Sequence, residues 1–239
     1  MPEPERADAV RLHNAVLEGA DFSGRNLTTF SVAESRLTRC RFNEVRAPVG
    51  SLGGGYRATY YVDCHFDGMK LKKVLPGRAT FLACSFQDVH IGEFYAQNAE
   101  FVDCVFSGTL KKAIFSAVPL EYDERLGRKT NEYRGNDFSR AHFGDVSFRR
   151  GVDLGKQRLP VGPEYVYIGA ADAAVARAEA AIESWSDEYS AKNVQIVLRV
   201  LKLEIARGQR DLFVTKAFLV GDLSPECAAR LVHALNDAG

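Results

Sequence analysis

Large apolar residues recur at every fifth position over much of the first 160 residues. The longest unbroken block consists of Leu12, Leu17, Phe22, Leu27, Val32, Leu37 and Phe42. Shorter blocks with the same spacing begin at Tyr61, Phe81 and Phe138. A period of five fits neither an α-helix, with 3.6 residues per turn, nor a plain β-strand, with a period of two. It therefore predicts a repeat architecture in which one short unit is stacked on itself.

A column of small residues stands two positions before the large ones. Its members are Ala15, Ala20, Ser35, Cys40, Thr59, Cys64, Ala79, Cys84, Ala99, Cys104 and Ala141. Small companions are needed if both columns point into a narrow shaft, because close packing leaves no room for two large side chains. The near-copied hexapeptides 61–66, 81–86 and 101–106 recur every 20 residues, so the coil has four sides of five residues. We expect about five coils, a rod of ~25 Å, with a core column of Cys64, Cys84, Cys104, Phe66, Phe86 and Phe106.

The repeat resembles that of the pentapeptide-repeat family, Ala-Asp/Asn-Leu/Phe-x-x. Residues 20–24, 25–29 and 136–140 match it well, and the resemblance spans about Val10 to Leu159. It implies a right-handed quadrilateral β-helix. We therefore expect a mainly β fold, with this β-helix over residues 1–160 and a C-terminal α-helical domain after it. Arg25 and Phe30 replace small inward residues and Pro76 replaces a large one, which predicts local irregularities.

Two segments interrupt the period. Residues 43–58 contain Pro48 and three consecutive glycines, which favours a flexible excursion. Residues 116–135 mix charged residues with tyrosine and leucine, and part of this segment is expected to form a short helix on the rod. Tolerated surface loops are one interpretation of both. Because loops on a rigid scaffold often carry contacts, the other is a partner-binding loop, with candidate residues Leu120, Tyr122, Arg125, Leu126, Arg128 and Tyr133.

Residues 161–239, hereafter the tail, change from the repeat to a linker and an alanine-rich helical pattern. Helices are predicted over 171–185, 190–207 and 213–220, and a fourth begins at the cap Ser224 and Pro225 and runs through Leu235. Such helices would cover the end of a β-helix, whose backbone groups are otherwise unpaired. The family resemblance implies homodimerisation through these C-terminal helices.

Composition and charge narrow the location and the partners. The chain has no apolar run of membrane-spanning length, its first residues lack the pattern of a secretory signal, and its five cysteines form no close pairs. A cytoplasmic protein is expected. The net charge is zero, and residues 1–160 hold 23 Lys/Arg against 20 Asp/Glu. Lys70, Lys72, Lys73, Lys111 and Lys112 form a locally basic stretch, read as a solvated face, and direct nucleic-acid binding is not expected.

Candidate chemistry is sparse. The cysteine column is interpreted as buried small hydrophobes rather than a metal site. The glycine run 53–55 lacks the lysine and hydroxyl of a phosphate loop. We therefore predict no catalytic residue, cofactor or metal, and a non-catalytic scaffold that binds protein partners. The first alternative, implied by the family resemblance, is a DNA gyrase or topoisomerase protection protein linked to antibiotic resistance. The second is an enzyme with an unrecognised site where rod and tail meet.

Overall fold

The chain forms a parallel β-solenoid followed by a helical region. The computed structural model describes residues 8–120 and 127–236. One side of the solenoid is an eight-stranded parallel sheet. Its strands, in spatial order, are β1 (Asp8–His13), β3 (Leu27–Ala33), β5 (Arg46–Gly54), β7 (Lys70–Leu75), β9 (Ser85–Ala96), β11 (Val105–Ser116), β13 (Asn136–Arg149) and β14 (Gln157–Arg158). The mainly β fold and its C-terminal helical region are thus confirmed.

A second parallel sheet closes the other side of the coil. Its six strands are β2 (Val16–Glu18), β4 (Arg36–Thr38), β6 (Thr59–Val62), β8 (Ala79–Leu82), β10 (Glu100–Val102) and β12 (Tyr133–Arg134). Odd and even strands alternate along the chain, so successive coils add one strand to each sheet. The eight strands of the first sheet are separated by seven steps, which gives a rod of ~34 Å.

Corners with left-handed backbone explain the period of five. Asp63, Ala83 and Asp103 have φ angles of 54°, 52° and 55°, and each directly precedes a core cysteine. Gly68 and Asp88 repeat this conformation five residues after the first two. Non-glycine residues seldom adopt positive φ, so the coil imposes this geometry. Each corner redirects the chain, and a buried inward residue follows it directly.

Stacked aromatic rings fill the interior. Phe66, Phe86 and Phe106 form one stack, with neighbouring ring centroids 4.7 and 4.8 Å apart. The rings at 61, 81 and 101 form a second stack, with separations of 4.8 and 4.7 Å. These separations equal the ~4.8 Å spacing of paired strands. In these coils each ring therefore lies directly on that of the coil before it, and the rings are buried, whereas Leu12, Leu17 and Phe22 at the start of the solenoid are partly buried.

Residues 43–58 are part of the coil, so the predicted flexible excursion is wrong. Strand β5 pairs in parallel with β3 and β7. This coil is four residues longer than its neighbours. The pairing of β3 with β5 shifts by one residue between Ser31 and Ala33, and the other three extra residues lie between Gly54 and Tyr60. The glycines permit close packing rather than flexibility. Counting this segment and β12 raises the expected five coils to about seven.

The described part of residues 116–135 also joins the coil, through β12, which pairs with β10. The predicted short helix falls on a stretch that includes residues 121–126, which lie outside the described residues.

The tail packs a short antiparallel ribbon and helices around a second apolar core. Its elements are β15 (Tyr165–Ile168), α1 (Ala171–Ile182), α2 (Glu188–Ala206), β16 (Leu212–Thr215), α3 (Lys216–Val220) and α4 (Pro225–Asn236). The prediction of a helix over 213–220 is wrong in its first part, because Leu212–Thr215 is wholly buried and pairs with β15. The Ser224 hydroxyl accepts a hydrogen bond from the Cys227 amide at 3.3 Å, as expected of the helix cap. In the described ranges, no helix combines the length and the apolarity needed to cross a membrane.

Candidate interaction site

Four cysteines, not three, form the column inside the solenoid. Cys40, Cys64, Cys84 and Cys104 are all buried and all free. The Cys64 thiol donates to a carbonyl of the preceding coil, that of Leu37, at 3.5 Å. The neighbouring Cys84 side chain, together with burial, raises the pKa of the Cys64 thiol, and burial raises that of Cys84. Thiols held in this state are poor nucleophiles and poor metal ligands, so the column supports the fold.

Asn136 extends the cysteine column by one coil. Its side-chain oxygen accepts a hydrogen bond from the Cys104 amide at 3.0 Å, and its amide nitrogen donates to the Phe101 carbonyl at 2.8 Å. The Gln157 side chain accepts a second hydrogen bond from it at 2.9 Å. A buried polar group needs such partners. Asn136 stands two residues before Phe138, which is the position of the small inward residue in the repeat, so the sequence could have predicted that its side chain faces inward.

Tyr133, predicted as an exposed contact of the partner-binding loop, lies inside the solenoid. Its side chain is among the buried residues, and its ring stacks on that of Phe101 at 6.0 Å. The hydroxyl donates to the carbonyls of Ala96 and Ala99, at 2.7 and 2.9 Å. Burial raises the pKa of this hydroxyl. Tyr133 takes the inward position of the large residue in its coil, so it stabilises the fold and is not available to a partner.

Arg128, another predicted contact, anchors the segment to the coil. It forms an ion pair with Glu100 at 3.0 Å, in which both side chains are mostly buried, and donates to the Asn98 carbonyl at 2.6 Å. Leu120 is half-buried, and its amide donates to the Asn98 side chain at 2.9 Å. The three remaining predicted contacts, Tyr122, Arg125 and Leu126, lie outside the described residues. The described ends of the segment are therefore fastened down rather than projecting.

Replacing Tyr133 by phenylalanine is expected to destabilise the protein by about 1–2 kcal/mol, because two buried carbonyls lose their donor. Chemical denaturation would measure the change in the free energy of unfolding. Tyr60 is the matched control, since its side chain is 43% exposed. Tyr60→Phe should change stability by less than ~0.5 kcal/mol. Equal effects of the two substitutions would contradict the inward placement of Tyr133.

The tail covers the last coil of the solenoid. Phe213 of β16 packs edge-on against Phe143 and Phe148 of β13, with ring centroids 6.4 and 6.3 Å apart. The buried Gln209 side chain accepts hydrogen bonds from the amides of Gly151 and Val152, at 3.0 and 3.1 Å, and donates to the Val152 carbonyl at 2.8 Å. These contacts satisfy backbone groups that the end of a solenoid leaves unpaired.

A cavity of about 380 Å³ lies at this junction of solenoid and tail. Its lining includes the carboxylates of Asp145 and Glu204 but no histidine. Glu204 pairs with Arg149 at 3.5 Å, so one of the two carboxylates is already engaged by a cation. Among the described residues, no group of three or more His, Cys, Asp or Glu side chains has the arrangement of a metal site.

Helix α2 carries an apolar surface on two faces. Val194, Leu198 and Leu201 face the core of the tail and are buried. A second row points outwards at helical spacing, and we name it the α2 stripe: Tyr189, Ile196, Val200 and Leu203, with exposed fractions of 66%, 59%, 40% and 51%. Residues spaced by seven, four and three lie on one side of a helix. Exposed apolar rows of this kind mark interaction surfaces more often than isolated apolar residues do.

The geometry therefore adds a candidate interaction surface on the tail, while the predicted loop contacts at Tyr122, Arg125 and Leu126 stay a prediction. The spacing of the α2 stripe is present in the sequence. It could not be recognised there, because the same helix also carries the apolar residues that face the core. Comparison with known proteins adds no assignment: no protein-family model and no curated protein matches the chain.

Proposed function

We propose that the chain is a cytoplasmic pentapeptide-repeat protein that acts as a non-catalytic scaffold through protein–protein contacts. The period of five, the left-handed corners at that spacing and the stacked inward rings support this family assignment. Five free and buried cysteines suit a reducing compartment. The solenoid is rigid and presents repeated side chains at fixed spacing, which suits the display of binding surfaces rather than catalysis.

The α2 stripe carries this proposal. Four large apolar side chains on one side of a 19-residue helix remain exposed although the other side is packed. Burying such a row against a partner helix removes apolar surface from water, at about 25 cal/mol per Å². A second copy of the chain is the simplest partner, because the same row on two subunits gives a self-complementary contact around a two-fold axis. The stripe is thus proposed as the dimer interface of the C-terminal helices.

Replacing Ile196 and Leu203 together by glutamate should convert the dimer into monomers, because two charges would be buried in an apolar contact. Sedimentation equilibrium at micromolar concentrations measures the mass directly. Gln195→Glu is the control, since Gln195 is exposed on the same helix but outside the stripe, and this variant should remain dimeric. A monomeric wild-type protein at 50–100 micromolar would remove the proposed interface.

Protection of DNA gyrase is the more specific alternative, but the charge of the solenoid does not favour it. A protein that mimics duplex DNA needs a dense negative field to compete for a basic groove. The solenoid instead carries cations on neighbouring strands, Arg46 and Lys70, which are aligned by strand pairing. We expect purified protein neither to alter gyrase supercoiling nor to relieve its inhibition by a fluoroquinolone. A supercoiling assay measures both, and relief of the inhibition at stoichiometric protein would make gyrase the partner.

A further inference from the structure

A groove of about 720 Å³ runs along the solenoid, across the beginnings of the strands of the larger sheet. We name it the basic groove. Its floor is the strand surface at Leu27, Ala47, Leu71 and Ile91, whose side chains are buried in the core. The residues on either side of the floor are its walls: Asn26, Arg46, Lys70, His90 and Thr109 on one side, and Thr28, Pro48, Lys72, Gly92 and Lys111 on the other.

Strand register aligns the cations of the basic groove. Arg46 pairs with Lys70, and Lys70 pairs with His90, so these side chains follow one another at ~4.8 Å along one wall. On the other wall, Lys72 and Lys111 stand on either side of Gly92, because Leu71 and Leu110 both align with Ile91. The irregularity between Phe106 and Gly108 shifts the register by one residue. Lys72 therefore shares its row with Lys111 rather than with Lys112, although the two lie 40 residues apart.

The positive charge of the basic groove is not compensated by neighbouring acids. None of its lining residues is aspartate or glutamate. Glu93, which lies in the next row, pairs with Lys73 at 3.4 Å. Within residues 8–120 and 127–236, Arg46, Lys70, Lys72 and Lys111 form no salt bridge. A concave surface lined by one sign of charge concentrates ligands of the opposite sign.

The shape of the basic groove selects a single extended chain. Its walls are two residues apart on each strand, which corresponds to ~7 Å, whereas an α-helix with side chains is 10–12 Å wide. Gly92 has no side chain, so it leaves a gap between Lys72 and Lys111 in one wall. A Cβ atom on Gly92 would lie 2.4 Å from the Lys72 carbonyl oxygen, so the two strands approach closely here and leave no room for a side chain. Four strand steps give a length of ~19 Å, which holds about six residues of extended peptide.

We propose that the basic groove binds an extended acidic segment of a protein partner. This inference rests on the proposed scaffold function and names the chemistry of the contact. In an extended peptide, successive side chains point to opposite sides, so alternate carboxylates meet the two cationic walls while the peptide backbone lies over the floor between them. A single nucleic-acid strand fits less well, because such strands are held by bases stacked on aromatic side chains, and no aromatic residue lines the groove.

Fluorescence anisotropy with a labelled octaglutamate peptide tests the proposal on the full chain. The groove variant is Lys70→Glu/Lys72→Glu/Lys111→Glu. The matched control reverses three exposed cations of the tail, Lys192→Glu/Arg199→Glu/Lys216→Glu. We expect the wild type to bind octaglutamate, with an affinity that falls as salt rises. The groove variant should lose at least tenfold in affinity and the control less than twofold. A milder variant, Lys72→Gln/Lys111→Gln, should lose threefold or more and covers the case in which the triple reversal impairs folding.

Three outcomes would overturn the proposal: no binding of octaglutamate at 50 millimolar salt, equal losses in the groove and control variants, or tighter binding of a labelled thymidine octanucleotide than of octaglutamate. The last result would make nucleic acid the occupant. Sedimentation of the groove variant separates this proposal from the scaffold function. If the variant and the wild type are both dimeric while neither binds the peptide, the groove assignment fails and the proposed dimeric scaffold stands.

Discussion

Replacing Phe86 by aspartate is expected to unfold the solenoid. Phe86 is fully buried between the rings of Phe66 and Phe106, whose centroids lie 4.7 and 4.8 Å away. The substitution removes both stacking contacts and leaves a carboxylate in an apolar shaft without a partner. We expect a loss of more than ~4 kcal/mol, a large part of the 5–15 kcal/mol that stabilises a typical domain. Circular dichroism and chemical denaturation would measure it.

The neighbouring Gln87 provides the control. Its side-chain oxygen accepts a hydrogen bond from Arg140 at 2.9 Å, on the outside of the coil. In Gln87→Asp the new carboxylate meets the same cation, and the change in stability should stay within ~0.5 kcal/mol. Because the two positions are adjacent in sequence, comparable losses at both would contradict the alternation of inward and outward residues.

Replacing Gly53 by alanine is expected to cost about 1–3 kcal/mol, a value typical of overpacking. A Cβ atom on Gly53 would lie 2.2 Å from the Pro76 carbonyl oxygen and 2.6 Å from the Ala79 amide nitrogen. Both are backbone atoms, so no side-chain rotation can relieve the clash. The substitution also strains the hydrogen bond from the Arg78 amide to the Gly53 carbonyl, now 2.9 Å long. The measurement is the free energy of unfolding in urea.

Gly54 is the matched control for Gly53. A Cβ atom on Gly54 would meet the side chain of Ala33 at 3.5 Å, an ordinary contact. Gly54→Ala should be neutral or slightly stabilising, because alanine restricts the unfolded chain. A flexible excursion over residues 43–58 would instead make both substitutions silent, so a silent Gly53→Ala would argue against strand β5.

The solenoid could be predicted from the sequence because most of its inward positions alternate between large and small residues, although Arg25 and Phe30 depart from this rule. Each large residue needs a small companion, and that pairing is visible without a structure. Residues 43–58 were misread because glycine and proline mark both flexible loops and close backbone contacts. Only the packing of Gly53 against Pro76 distinguishes the two. Tyr133 was interpreted as exposed for a different reason. It stands five residues before Phe138, as an inward residue should, but the coil from Cys104 to Asn136 spans 32 residues and so hides the period.

The candidate site depends on register and tertiary packing, which periodicity does not contain. The partnership of Lys72 with Lys111 follows from a one-residue shift in a single coil. The α2 stripe can be identified only from the packed structure. Ile196 and Leu198 are both apolar, and only the structure shows that Leu198 is buried while Ile196 is exposed. The local pattern of strand β16 predicts a helix. The segment forms a strand instead, because it pairs with the antiparallel strand β15.

Anomalous X-ray diffraction from the sulfur atoms of a crystal tests the continuous solenoid most directly. We expect four sulfur peaks in one row, from Cys40, Cys64, Cys84 and Cys104, with steps of ~4.8 Å. Cys227, in the tail, should lie away from this row. A gap between the peaks of Cys40 and Cys64 wide enough for an excluded segment, or four peaks that do not align, would contradict it.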